Sequence, residues 1–102
     1  MDERALLRTA ADRLEALAAR STPGDWRTGG LLATRPEVIA HRDTAGGEAA
    51  TEHVAEARAG SAAWIVALSP AVGPALAAWL RAADEADPAA VAVAHILLER
   101  LP

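Results

Sequence analysis

With 102 residues, a net charge of −4 and alanine at 28 positions, the chain is sized for one small domain and lacks the basic stripe that tracks a phosphate backbone. Cys, Lys, Tyr, Phe, Asn and Gln are absent. That removes the thiolate nucleophile, the Schiff-base amine, the phenolic donor and the side-chain amides from the available chemistry.

The apolar fraction of 52% overstates the core, because more than half of it is alanine, which buries little area and loses no rotamer entropy on folding. Small residues let helices approach closely. A thin, tightly packed helical layer completed by a second subunit is the natural expectation, within a single domain over residues 1–102. No apolar run is expected to span a bilayer, and Met1-Asp2-Glu3-Arg4 is acidic where a secretory leader would be basic, so the chain reads as cytoplasmic, with no membrane and no nucleic-acid partner.

Residues 2–20 are predicted to form an amphipathic helix. Leu7, Ala10, Leu14 and Leu17 recur at helical spacing, Leu6, Ala11 and Ala18 widen the stripe, and Arg8, Asp12, Arg13 and Glu15 occupy the opposite face. Asp2 and Glu3 suit the positive end of the helix dipole and Arg20 the negative end. Ser21-Thr22-Pro23-Gly24-Asp25 stops this helix: Pro23 forbids continuation, and Gly24 supplies a positive φ that aims Trp26 back at it.

Between Trp26 and Ala57, the pairs Gly29-Gly30 and Gly46-Gly47 and the triplet Arg35-Pro36-Glu37 divide short segments containing Leu31-Leu32, Val38-Ile39 and Val54. They read as three strands of an antiparallel meander, at 26–34, 37–42 and 51–57. Glu48, Glu52 and Glu56 lie in an alanine-rich run that propensity alone would make helical, so the third segment is open to either reading. Ser61 is a plausible N-cap for a helix over Ala62–Leu68, although Trp64-Ile65-Val66 would also suit a buried strand. Pro74 would clash with the carbonyl of residue 70 in a continuous helix, so the next helix starts near Gly73 and carries Leu76, Trp79, Leu80 and Ala83 on one face. A last helix runs from Pro88, behind Asp87, to Leu101. The fold class is therefore α+β: an N-terminal helix, a small three-stranded antiparallel meander and C-terminal helices.

This order of features, with Thr22-Pro23-Gly24-Asp25-Trp26 and Ala62-Ala63-Trp64-Ile65-Val66-Ala67-Leu68-Ser69-Pro70, resembles small phage and actinobacterial proteins of unknown function. Their signature is a helix, a TPGPW turn, strands, and an ADAxFIA motif followed by Asn-Pro or Ser-Pro and a helix. The similarity covers roughly residues 7–83. Asp25 stands where the second proline would be and Trp64 where the phenylalanine would be. The resemblance implies the α+β order and a cytosolic setting, and transfers no catalytic residue.

Chemistry-bearing clusters are few. On a helix, His53 with Glu52 and Glu56 would crowd one edge and could bind a divalent ion; on a strand His53 points away from both, leaving a solvated charged face. His41 beside Arg42 and Asp43 could serve acid–base chemistry if a nucleophile lay near. Ser21, Ser61 and Ser69 sit at cap or turn positions, where serine goes for backbone reasons. His95 borders the apolar Val91 and Leu98 with Glu99 one turn on, the spacing of a surface pair. Neither glycine pair belongs to a phosphate-binding loop. No catalytic, cofactor or metal residue is therefore assigned.

Trp26 reads as a buried structural residue laid over the first helix, with ligand stacking the rarer alternative, and Trp64 and Trp79 read as structural residues or as parts of an oligomer interface. In the last helix, Val93, Ile96 and Leu97 flank the stripe of Val91, Ala94, Leu98 and Leu101, more apolar surface than one small core covers. The expectation is a non-enzymatic interaction module that forms homo-oligomers and binds a protein partner, with Leu76, Trp79, Leu80, Val93, Ile96 and Leu97 at the interface. The alternative is a small metal- or ligand-dependent enzyme using His53, Glu52, Glu56 and His41.

Overall fold

The computed structural model describes residues 2–102. The chain forms helix α1 (Glu3–Arg20), strands β1 (Asp25–Gly29), β2 (Glu37–Asp43) and β3 (Ala49–Glu56), helix α2 (Ala59–Ala67), a 3-10 turn (Pro70–Val72), and helices α3 (Gly73–Ala82) and α4 (Pro88–Arg100). The expected α+β order holds. These elements make two compact units: Thr22–Ala71, which holds the sheet and α2, and the helices on either side of it in sequence.

In the helical unit, α1 begins where Asp2 Oδ1 accepts the Ala5 N–H at 2.7 Å, satisfying one of the orphan donors of the first turn. It ends at Ser21, whose backbone turns extended while its hydroxyl donates to the Leu17 carbonyl at 2.8 Å. Both α3 and α4 pack on α1. The shared core holds Leu6, Leu7 and Leu80, spaced by Ala10, Ala11, Ala77, Ala90 and Ala94, all buried. Alanine at the contact faces lets the backbones come close, so few leucines are needed between them. Arg81 ties α3 to α1 by reaching Asp12 Oδ1 at 2.8 Å and Glu15 Oε2 at 2.5 Å. Bonding first to Asp12 and then to Glu15 raises its pKa further above the ordinary arginine value. Asp87 caps α4 by accepting the Ala89 N–H at 2.9 Å, with Pro88 at the first helical position as the sequence indicates.

In the sheet unit the strands run antiparallel in the order β1-β2-β3. The third segment is a strand, Ala49–Glu56, because pairing along β2 outweighs the helical propensity of its alanines and glutamates. β1 ends at Gly29, five residues short of the expected 34. Gly30 takes φ +94°, which takes the chain out of extended geometry, and Leu31 and Leu32 fall in an exposed turn closed by the Arg35 N–H to the Leu32 carbonyl at 3.2 Å. The Trp26 indole N–H donates to the Thr22 carbonyl at 2.9 Å across the Pro23-Gly24 turn. α2 starts at Ala59, earlier than the expected Ala62. Ser61 is therefore inside the first turn and not its cap; Arg58 holds the cap position with no side-chain cap bond, and its carbonyl accepts the Ala62 N–H at 2.8 Å.

The register contains one irregularity. Val38 pairs with Ala55 and Ile39 with His53, so Val54 is an extra, unpaired residue in β3. One sheet face carries Trp26, Thr28, Val38, Ala40 and Ala55, with Val38 and Ala40 buried and α2 lying against β1 and β2. The other carries Asp25, Arg27, Glu37, Ile39, His41, His53 and Glu56.

Two glycines give direct tests. Gly24 has φ +114°, and a Cβ there would stand 2.7 Å from the His41 carbonyl oxygen. Gly24→Val is expected to lower unfolding free energy by more than about 1 kcal/mol, from strain and collision together, measured by urea denaturation; an unchanged midpoint would contradict the turn geometry. At Gly73 a Cβ would stand 2.7 Å from Ala18 Cβ, where α3 meets α1. Gly73→Ala adds helix propensity but overpacks that crossing, so a net loss of about 1 kcal/mol or more is expected in the same assay.

Candidate functional site

The outer sheet face is where the titratable side chains meet. Glu37 and Glu56 are direct cross-strand partners, an arrangement in which like charges repel. Each is offset by a cation or potential cation: His53 Nδ1 lies 3.4 Å from Glu37 Oε1, and Arg35 Nε lies 3.7 Å from Glu56 Oε1. Further along the face, Arg27 Nε donates to Asp25 Oδ2 at 2.7 Å. All of these side chains are well exposed, so each pair contributes at most about 1 kcal/mol in water.

This arrangement differs from the one expected for His53. The extra residue at Val54 shifts the alternation, so His53 and Glu56 come to the same face while Glu52, paired with Ala40, goes to the other. A regular strand would have put His53 opposite both. The carboxylate that does reach His53 is Glu37 from the neighbouring strand, whose side chain leans over Gly30 with Oε2 3.2 Å from where a Cβ would be. Sequence spacing carries no signal for that pair, because Glu37 and His53 become neighbours only through the β2–β3 register.

His41 lies on the same face, paired with Asp25 on one side and Thr51 on the other. Among the described residues, no group of three or more His, Asp or Glu side chains is placed to hold a metal ion. Ser21 spends its hydroxyl on the Leu17 carbonyl. His95 lines a shallow pocket of about 330 Å³ on the helical unit, together with Glu3, Glu85, Pro88, Val91 and Ala92.

The six residues expected at an interface separate into three groups. Leu80 is fully buried in the core of the helical unit, where it fills the space between α3 and α1 and is closed to a partner. Val93 and Leu97 are half-buried against that core, and Leu76 is half-buried on α3. Trp79 and Ile96 remain open, at 43% and 52% exposure.

A further apolar surface lies on α2. It carries no charged side chain, buries only Ala62 and leaves Trp64 69% exposed, with Leu68 at its C-cap 53% exposed. The sequence signal for it is the absence of any charged residue between Arg58 and Arg81. That run also corrects the expectation about membrane spans: the 24 residues Ala59–Ala82 are long and apolar enough to cross a bilayer by length and composition. In the fold they are not one straight helix, since α2 ends at Ala67 and the 3-10 turn at Pro70–Val72 precedes α3.

The dispersed outer face gives a concrete expectation. His41→Ala and His53→Ala should each retain the far-UV circular dichroism and shift the melting temperature only slightly, because exposed pairs are worth tenths of a kcal/mol to about 1 kcal/mol. Elemental analysis of untagged protein should find no stoichiometric transition metal; unfolding on chelation would put a metal centre on this face, since structural metal binding is also folding free energy. Compared with family models, curated proteins and solved structures, the chain has no match in any of the three.

Proposed function

We propose that this chain is a non-enzymatic interaction module of the cytosol that self-associates and presents an apolar surface to a protein partner. The observation that carries this reading is the open Trp79 and Ile96, on helices whose inward faces are alanine-rich. Such helices bury little area within one chain, and large apolar residues left outside gain most from a second surface. Leu76 precedes Trp79, and Val93 precedes Ile96, by three residues, so each open residue continues a half-buried one on the same helix flank.

The outer sheet face supports the same choice by its dispersal. Its histidines are exposed, and His53 is paired to one carboxylate in an arrangement that resembles a solvated charged face. A net charge of −4 disfavours a polyanionic partner. Kinship with the small phage and actinobacterial proteins, whose order of elements the chain resembles, is part of the proposal.

Sedimentation equilibrium at micromolar concentration tests it. The expected mass is at least twice the 10.5 kDa of one chain, and Trp79→Asp or Ile96→Asp should shift the equilibrium towards monomer with unchanged circular dichroism. A wild-type mass of one chain throughout the concentration range would end the self-association reading.

A further inference from the structure

We draw no further inference here: the strongest candidate, the shallow pocket on the helical unit lined by Glu3 at the start of α1, by Glu85 and, on α4, by His95, is an acidic cluster on open surface whose Glu85 already faces Arg4 at 3.8 Å, and nothing else among the described residues points to a ligand in it.

Discussion

The close approach of α1 to α3 and α4 is the constraint on which the helical unit depends. Alanine supplies that approach at Ala10, Ala11, Ala77, Ala90 and Ala94, and glycine supplies it at Gly73, beside Ala18. Helices brought this near need few large side chains between them, and Leu7 and Leu80 are fully buried there. The stabilisation is concentrated accordingly. Losing one such leucine costs about 2–5 kcal/mol, a large part of the roughly 5–15 kcal/mol that holds a small domain. The same economy explains why apolar residues remain outside. An alanine-faced helix turns little area inward, so Trp79 and Ile96 find no place in the core.

The sheet unit is governed by a different device, the unpaired Val54. By lengthening β3 by one residue relative to β2, it moves Glu56 onto the face of His53 and keeps Val38 opposite Ala55 on the covered face. Glu37, His53 and Glu56 then share the open side, where Glu37 sits between His53 and Gly30, and Arg35 attends Glu56. These contacts are solvated and long, as expected of groups that neutralise one another on a surface. In the helical unit, Arg81 reaches both Asp12 and Glu15 and links α3 to α1.

The exposed faces have two characters. One is the charged outer face of the sheet. The other is apolar and includes the open residues of α3 and α4 and the uncharged α2. Arg58 and Arg81 bound the longest stretch of the sequence without a charged residue, and apolar side chains left exposed within it remain in contact with water at a free-energy cost.

The α+β order, the first helix with its Asp2 and Glu3 end, the Pro23-Gly24 stop and the Asp87-Pro88 start were all legible in the chain. Each is written in local steric and capping chemistry that acts within a few residues. The missing residue types likewise limited the chemistry before any fold was known. What only the tertiary structure decided is whatever depends on partners distant in sequence. Pairing with β2 made residues 49–56 a strand against their propensity. The register joined His53 to Glu37 and separated it from Glu52. Packing on α1 took Leu80 into the core while leaving Trp79 outside, although the two are adjacent in the chain. A side chain's neighbours across a sheet or between helices are set by register and crossing geometry, and the spacing of residues along one segment does not contain either.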